Sequence, residues 1–491
     1  MPPDYRGGDT EMQLDGVRTL ITTRSLGVLS LAILIGHFAE LSQPTFGTDY
    51  FYDVRASQKP FFAFMMDGRY LSEMIWHLSW NMFPPTLLFA GGLALLAAAG
   101  LIIASMLGVE DKKPAVVSTC MILFFPLFFE TFAYHPLRVV VPLGIVVALL
   151  AVQAERITIT AIGILLTAML YQSSIYVAMA AVALVAAVRL ADGADRRTTA
   201  KYVAARATGV VIGIALYYIV TRTVPMLGGY EPARLAQFSQ TVASWSDIGE
   251  TFRKVGAGLS ELAFADHHFF PWEVKWLLVA LYLLACASIA RKSLVSLLLL
   301  LATPVLAMGV IWISKTPGMM LSDRIQYPMA FVAAGGFLIA WRYAGRLRGA
   351  VLVIGLVVVA IFALQTNIRH QFMYLRNQAD IDMSSNIADR LKRLPEYKPG
   401  LPLVIVGLTR PDYLPYKIFP YDRKVFGNTT LNSAFSMTWS ANRILIFFMD
   451  FIPATPADQA VGEADSAGMP AWPTEGSTAI KNGRMIVVLS Q

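Results

Sequence analysis

Four ionisable side chains fall within one short segment that separates two apolar runs of this chain. Asp67, Arg69, Glu73 and His77 lie within eleven residues. The last three recur every four residues, so they share one side of a helix. The apolar residues of the segment define another side: Tyr70, Leu71, Met74, Ile75 and Leu78. We predict an amphipathic helix along a membrane surface, with its polar row toward water or a cleft. The alternative is an interfacial helix with only weak surface ion pairs.

The start of this helix favours a binding role. Asp67 is well suited to cap the helix N-terminus, but a cation at Arg69 is unfavourable for the helix dipole. Arginine binds phosphate through a planar fork of donors. Arg69 is therefore a candidate for binding an anion. Glu73, one turn further on, is the expected ion-pair partner of Arg69.

Further polar side chains lie where other apolar runs end. They are Glu40, Glu130, His135, Arg138, Tyr171, Gln172, Arg222, Asp323 and Arg324. Charges are almost absent from the middles of the runs, where each costs roughly 2.5–3.5 kcal/mol to insert. If the runs form one helical bundle, these side chains ring a site at one membrane surface. Alternatively, each of them simply snorkels or pairs at the interface.

The fold class follows from the composition. The 491 residues are 56% hydrophobic and 15% charged, whereas a soluble chain carries about 25% charge. Several apolar runs reach the roughly 20 residues that a helix needs to cross the bilayer core. We predict a polytopic α-helical membrane protein with about eleven transmembrane helices. The predicted spans lie near 25–40, 85–107, 115–130, 138–153, 157–171, 174–190, 202–223, 276–290, 294–314, 327–344 and 350–366.

The basic residues of the loops predict the orientation. With the N-terminus in the cytoplasm, the inner loops hold Lys112, Lys113, Arg156, the segment 189–201, Arg291, Lys292, Arg342, Arg346 and Arg348. The short outer loops hold little beyond Arg138, Lys315 and Arg324. The net charge of +7 is thus interpreted as the excess of basic residues in cytoplasmic loops, not as a nucleic-acid signal. An odd number of spans places the C-terminus outside.

Two domains are expected. Residues 1–366 form the transmembrane domain, with one outer loop at 41–83 and another at 225–275. In residues 367–491, a polar helical pattern precedes the strand-like runs Leu403–Leu408 and Met485–Leu489. Turns that contain Pro and Gly lie between them, so we predict a small α/β extracytoplasmic domain. The loop 225–275 is rich in Trp and Phe, and either covers an acceptor or belongs to an interfacial aromatic belt.

This layout suits a sugar that is carried on a polyprenyl phosphate. The lipid tail would lie in the bilayer and the phosphate at the interface, where cations can bind it. A nearby carboxylate could accept the proton of an acceptor hydroxyl. The sequence has no Gly-rich phosphate loop and no cluster of metal ligands. No cofactor and no metal are therefore expected.

Three motifs also carry a family resemblance. They are Asp67-Gly68-Arg69, Leu170-Tyr171-Gln172-Ser173-Ser174, and the junction Arg376-Asn377-Gln378-Ala379-Asp380 that leads through 387–391 to 403–407. In these motifs the chain resembles the bacteriophage-type O-antigen glucosyltransferases, GT-C class membrane enzymes that use polyprenyl-phosphate sugars. The resemblance implies transfer of a hexose, such as glucose, from undecaprenyl phosphate to a surface glycan outside the bacterial inner membrane. That glycan would be the O-antigen of lipopolysaccharide or a similar acceptor. The resemblance also implies a flippase and a donor-lipid synthase as partners.

The resemblance bears on the general base as well. That family shows adjacent acids before a nearby arginine, whereas here three aromatic residues separate Asp49 from Asp53, and Arg55 follows. Partial desolvation among aromatic side chains would raise the pKa of a carboxylate toward a useful range. We prefer Asp53 as the catalytic base because Arg55 matches the acid-then-arginine order. Asp49 is the second candidate.

Two other functions fit the same pattern. A flippase or transporter of lipid-linked sugars would also need a helical bundle with cations at its rim, but it would leave the donor intact. A surface-polysaccharide polymerase would use lipid diphosphate oligosaccharides. The helix that begins with Asp67-Gly68-Arg69 favours the monosaccharide transferase over the polymerase.

Overall fold

The chain divides into two compact units. The structure is a computed structural model. It describes residues 16–47, 65, 67–80, 84–135, 137–228, 248–264, 272–309, 326–409, 433–437, 440–449 and 451–490. The helical unit comprises Met1–Ser42 and Phe61–Ile368. The C-terminal unit comprises Gln43–Pro60 and Arg369–Gln491.

Helices make up the described part of the helical unit. In chain order they are α1 (Thr23–Gly36), α2 (Phe38–Ser42), α3 (Tyr70–Trp80), α4 (Pro85–Met106), α5 (Lys112–Leu123), α6 (Phe128–Ala133), α7 (Leu137–Gln153), α8 (Ile157–Leu170), α9 (Ser174–Ala191), α10 (Arg196–Gly228), α11 (Ile248–Phe264), α12 (Trp272–Ala290), α13 (Leu294–Ala307), α14 (Met329–Tyr343) and α15 (Arg348–Lys392). The part of α15 from Arg369 onward belongs to the C-terminal unit. Helix α3 occupies the segment for which an amphipathic helix was predicted.

Long apolar helices give this unit the character of a membrane protein. Within the described ranges, five helices are long and apolar enough to cross a membrane: α4, α9, α10, α12, and α15 together with the short turn before it. Shorter apolar helices accompany them, namely α1, α7, α8, α13 and α14. Helix α15 has 45 residues, and at about 1.5 Å per residue it is much longer than a bilayer core of roughly 30 Å.

Small residues let these helices pack closely. Helix α4 packs on α7, and a Cβ atom added at Gly92 would lie 1.8 Å from the carbonyl oxygen of Arg138. Helix α7 packs on α8, and a Cβ atom at Gly163 would lie 2.5 Å from that of Ala151. Close approach of this kind is the usual way in which apolar helices associate within a membrane. This close packing fixes the positions of the helix ends, where the polar residues lie.

The bundle of the helical unit has two ends with different polar groups. At the Arg69 end lie the starts of α4, α7, α9 and α14 and the last turns of α5 and α8. At the Arg342 end, the guanidinium group of Arg342 donates to the carbonyl oxygens of Leu107 at 2.6 Å and Gly108 at 2.7 Å. It also donates to the carboxylate of Asp192 at 2.7 Å. Gly108 has a φ of +65°, and a Cβ atom there would lie 2.6 Å from the Arg342 guanidinium, so this position requires glycine.

The C-terminal unit contains a four-stranded sheet. Its strands are β1 (Pro402–Val406), β2 (Ile452–Pro453), β3 (Thr478–Lys481) and β4 (Arg484–Val488), in the order β2-β1-β4-β3. Strand β1 runs parallel to β2 and β4, and β3 is antiparallel to β4. Helices α16 (Ala441–Met449) and α17 (Pro456–Asp465) pack against β1. The strand-like runs of the sequence fall on β1 and β4, and Leu403 lies opposite Met485.

The last turns of α15 complete the core of this unit. The core contains Ile387, Leu391, Leu403, Phe435 and Leu445, all of which are buried. These side chains join the helix, the sheet and α16 into one apolar cluster. Their burial supplies the main driving force for folding of the unit.

Two polar residues of the motif 376–380 have structural roles in the C-terminal unit. The side-chain amide of Asn377 accepts from the backbone N–H of Phe46 at 3.0 Å and donates to its carbonyl oxygen at 2.9 Å. The buried carboxylate of Asp380 accepts hydrogen bonds from the Ser433 hydroxyl and from the backbone N–H of Ala434. Both residues thus attach distant segments to α15.

Candidate functional site

The strongest candidate site is centred on Arg69, just before α3. Its Nε atom donates a hydrogen bond of 2.9 Å to Oε1 of Gln172. Its guanidinium carbon lies 4.4 Å from the centre of the Tyr171 ring, which is within the range of a cation–π contact. Tyr171 and Gln172, which the sequence indicated independently of Arg69, therefore both contact its guanidinium group.

Gln172 connects three segments of the chain. Besides accepting from Arg69, its side-chain amide donates to the carbonyl oxygen of Asp67 at 2.8 Å. The same amide donates to the hydroxyl of Tyr217, in α10, at 2.8 Å. The start of α3, the turn between α8 and α9, and the middle of α10 thus meet at one side chain. The arrangement leaves the hydroxyl proton of Tyr217 for another acceptor.

Local backbone conformation brings these groups together. Helix α8 ends at Leu170 because Tyr171 adopts an extended conformation, with φ −158° and ψ 113°. Gly68 has a φ of +74°, a conformation that glycine adopts without steric cost. The hydroxyl of the buried Ser72 donates to the carbonyl oxygen of Leu170. This bond ties α3 to the end of α8 and satisfies a carbonyl group that the helix itself leaves open.

An acidic neighbour lies beside Arg69. The carboxylate of Asp67 lies 3.6 Å from the Arg69 guanidinium, and the two side chains are 13% and 19% exposed, respectively. The pair is therefore within reach of a ligand, although most of its surface is covered. A guanidinium group in such a place has donors that can bind a phosphate.

A buried layer supports the site from beneath. Tyr171 packs against Tyr327, with ring centres 6.2 Å apart. The Tyr327 hydroxyl lies 2.8 Å from the hydroxyl of Ser174, and its ring stacks on Phe128 at 5.2 Å. Tyr171 and Tyr327 are both almost completely buried. The ring on which Arg69 rests is thus itself held in place by neighbouring side chains.

Arg138 forms a separate, fully buried ion pair with Glu40. Its terminal nitrogen donates to the Glu40 carboxylate, and both side chains are 0% exposed. Its Nε atom donates to the carbonyl oxygen of Phe132 at 2.8 Å. The other terminal nitrogen lies 3.4 Å from the carbonyl oxygen of Pro85. All three nitrogens of Arg138 therefore contact protein acceptors and tie α2, α4, α6 and α7 together.

The other predicted site residues have different surroundings. Glu73 and His135 are buried, at 6% and 4% exposure. Arg222 is exposed on α10 and lies 5.2 Å from the ring centre of Tyr218. Four predicted site residues lie outside the described residues: Asp49, Asp53, Asp323 and Arg324.

Two tyrosines of this region were not predicted from the sequence. Tyr217 lies within the apolar run of α10, and its position alone indicates a lipid-facing or core residue. Tyr327 lies just before α14, and the sequence does not distinguish it from the other residues of an apolar segment. A hydroxyl group within an apolar run is the signal that could have pointed to both.

Comparison with families of known proteins gives a match. A family model described as "Glucosyl transferase GtrII" matches residues 56–340, which is more than half of the chain. The matched region includes Arg69, Tyr171, Gln172, Tyr217 and Tyr327. Searches of curated proteins and of solved structures returned no match.

Proposed function

Since the chain belongs to the glucosyl transferase GtrII family, we propose that it is a GT-C type hexosyltransferase that uses a polyprenyl-phosphate sugar. The family assignment confirms the resemblance predicted from the sequence. The proposed donor is glucose on undecaprenyl phosphate. The proposed acceptor is a surface glycan such as the O-antigen of lipopolysaccharide.

The position of Arg69 is the observation that supports this proposal. Its guanidinium group is held by Gln172 and Tyr171 at one end of the helical bundle. A lipid-linked phosphate would lie at this depth, because its tail occupies the bilayer and its sugar projects beyond it. A planar fork of donors suits such a phosphate better than a single ammonium group does.

In the proposed reaction, the bond between the sugar C1 atom and the phosphate oxygen breaks. The acceptor oxygen forms the new glycosidic bond, and polyprenyl phosphate leaves with its charge balanced by Arg69. The proton of the acceptor hydroxyl passes to a carboxylate, for which we propose Asp53 first and Asp49 second. Phosphate is a good leaving group, so no strong general acid is needed.

The other candidate residues would act together with Arg69 and the carboxylate base. Asp67, Tyr171 and Gln172 would orient Arg69. Further contacts to the donor or acceptor are proposed for Arg222, Asp323, Arg324, Glu73 and His135. Arg138 would act through its ion pair with Glu40, by fixing the helix ends beneath the site.

We further propose about eleven spans in the bacterial inner membrane, with the N-terminus in the cytoplasm. The small α/β domain at 367–491 would then lie outside. The basic residues at the Arg342 end of the bundle support this orientation, since Lys and Arg favour the cytoplasmic side. A donor made in the cytoplasm must cross the bilayer first, so a donor-lipid synthase and a flippase are the proposed partners.

The test uses the purified full-length protein in lipid vesicles. Glucosyl undecaprenyl phosphate and an O-antigen acceptor are added, and the donor and the glycan are followed by mass spectrometry. The proposal predicts that the donor is consumed and that the acceptor gains one hexose. A donor that moves between leaflets without being consumed would indicate a flippase. Consumption of lipid diphosphate oligosaccharides alone would indicate a polymerase.

A further inference from the structure

A second cluster of arginines lies at the Arg342 end of the bundle, far from the Arg69 site. The guanidinium carbons of Arg189 and Arg206 lie 4.2 Å and 4.4 Å from the centre of the Tyr202 ring. Arg206 follows Tyr202 by one turn of α10, whereas Arg189 belongs to the last turn of α9. One buried aromatic ring thus holds two like charges close together.

The position of Arg206 is fixed by a further contact. Its Nε atom donates to the carbonyl oxygen of Val152, near the end of α7, at 3.4 Å. This contact leaves its four terminal N–H donors for another acceptor. Within the described ranges, no hydrogen bond joins the terminal nitrogens of Arg189 or Arg206 to a protein acceptor.

Two of the nearby carboxylates have other partners. Asp192 accepts from Arg342 and from the hydroxyl of Tyr343, both within hydrogen-bond distance. Asp195 caps α10 by accepting from the backbone N–H and the hydroxyl of Thr198. A third carboxylate, Glu155, interacts electrostatically with Arg206 and offsets one of the two positive charges. The cluster therefore keeps a net positive charge.

Beyond the arginines, toward the middle of the bundle, α8 and α10 expose apolar side chains. Helices α8 and α10 run in the same direction and touch at two glycines. A Cβ atom at Gly209 would lie 2.6 Å from Thr160, and one at Gly213 would lie 2.7 Å from the carbonyl oxygen of Ala161. Over the same length each helix also exposes apolar side chains: Ile159 and Ile162 on α8, and Val211 and Ile214 on α10.

We propose that Arg189, Tyr202 and Arg206 form a binding site for the phosphate of an anionic phospholipid. The lipid belongs to the leaflet that meets the Arg342 end, and its acyl chains lie along the exposed faces of α8 and α10. Guanidinium groups bind phosphate with charge-assisted hydrogen bonds. Basic pockets between transmembrane helices are suited to anionic head groups. The site is separate from the Arg69 cluster and does not depend on the reaction proposed for it.

The test measures lipid binding to the full-length protein in neutral detergent. Phosphatidylglycerol and phosphatidylcholine are titrated separately, and bound lipid is counted by native mass spectrometry. The variant Arg189→Gln/Arg206→Gln should bind phosphatidylglycerol at least about tenfold more weakly, because it loses the charge-assisted hydrogen bonds of both guanidinium groups to the phosphate. The control Arg196→Gln/Arg197→Gln removes the same charge from exposed positions at the start of α10. It should bind almost as the wild type does.

Three results would overturn the proposal. The first is an equal loss in both double variants, which would mean that only the overall charge matters. The second is equal binding of phosphatidylcholine and phosphatidylglycerol by the wild type. The third is displacement of phosphatidylglycerol by an equal concentration of inorganic phosphate, which would mean that the acyl chains contribute nothing. If the double variant fails to fold, Tyr202→Leu keeps both charges and removes the ring, and wild-type binding by it would also contradict the site.

Discussion

Arg69 and Gln172 are joined by a hydrogen bond of 2.9 Å, from Nε to Oε1, although 103 residues separate them in the sequence. The same Gln172 side chain also bonds the carbonyl oxygen of Asp67 and the hydroxyl of Tyr217. A single amide group therefore determines where the guanidinium group of Arg69 lies relative to the ends of α3, α8 and α9. The proposed phosphate site depends on this amide as much as on the cation.

The first prediction concerns that amide. Gln172→Leu removes the acceptor of Arg69 and the donor to Tyr217 while keeping most of the side-chain volume. Because a misplacement of about 1 Å can cost roughly 10² in rate, we expect a loss of that size in kcat/KM for hexose transfer. Tyr217→Phe removes one hydroxyl and leaves the bonds of Gln172 to Arg69 and Asp67, so its loss should be smaller. Transfer by Gln172→Leu at the wild-type rate would show that the amide does not position Arg69.

The second prediction concerns the buried pair of Glu40 and Arg138. Removal of one partner leaves a buried charge without its counterion, which costs about 3–5 kcal/mol. Thermal unfolding of the purified protein should therefore show large destabilisation for both Glu40→Gln and Arg138→Met. The double variant should lose less than the sum of the two single losses, because both single changes break the same pair.

A control for this prediction comes from the same unit. Arg342→Gln breaks an ion pair with Asp192 in which the side chains are 24% and 21% exposed. Water can replace part of that interaction, so its midpoint should fall less than that of either single variant. An equal fall for Arg138→Met and Arg342→Gln would contradict the structural role of the buried pair.

The third prediction concerns sidedness. Reporter fusions at Arg197 and near Pro456 should lie on opposite sides of the membrane, with Arg197 in the cytoplasm. A third fusion after Asp111 should report the same side as Arg197, because Gly108 and Asp192 both contact Arg342. Fusions at Arg197 and near Pro456 on the same side would contradict the proposed orientation.

Several parts of the site were predictable because polar residues are costly within a membrane. Tyr171 and Gln172 stood out at the end of an apolar run and Arg69 in a segment between two such runs, and the structure brings the three into contact. The type of helix α3 was also predictable, since its apolar residues recur with helical spacing. The family was recognisable from short motifs, two of which contain these residues.

Other parts of the site depend on which helices are neighbours, and spacing does not reveal this. Arg138 and Glu40 both looked like rim residues, but their pairing follows from the packing of α2 and α7 near the start of α4. Tyr217 lies on α10 among apolar side chains, and it enters the site only because α10 packs along α8. The sequence contains the hydroxyl group but gives no sign of its partner.

The fourth prediction names the base. Asp53→Asn should reduce transfer by about 10² to 10⁴, the usual contribution of general-base catalysis. Binding of the lipid-phosphate sugar should remain almost unchanged, because the amide has nearly the same size and the phosphate contacts remain. Transfer and donor binding are measured on the same purified sample. If Asp53→Asn transfers hexose at the wild-type rate, Asp49→Asn should show the loss instead, and normal activity in both variants would exclude this loop as the source of the base.

The most direct test of the proposed function is the transfer rate of Arg69→Lys. This variant keeps the positive charge but loses the planar fork, the Nε donor to Gln172 and much of the stacking on Tyr171. Loss of a preorganised donor to a developing anion costs roughly 10² to 10³ in kcat. Purified Arg69→Lys is compared with Arg196→Lys, which makes the same change at an exposed position, in transfer of hexose from undecaprenyl phosphate. We expect a loss of about 10² or more for Arg69→Lys and nearly normal transfer for Arg196→Lys. Nearly normal transfer by folded Arg69→Lys would contradict the proposed role of Arg69 in binding the donor phosphate.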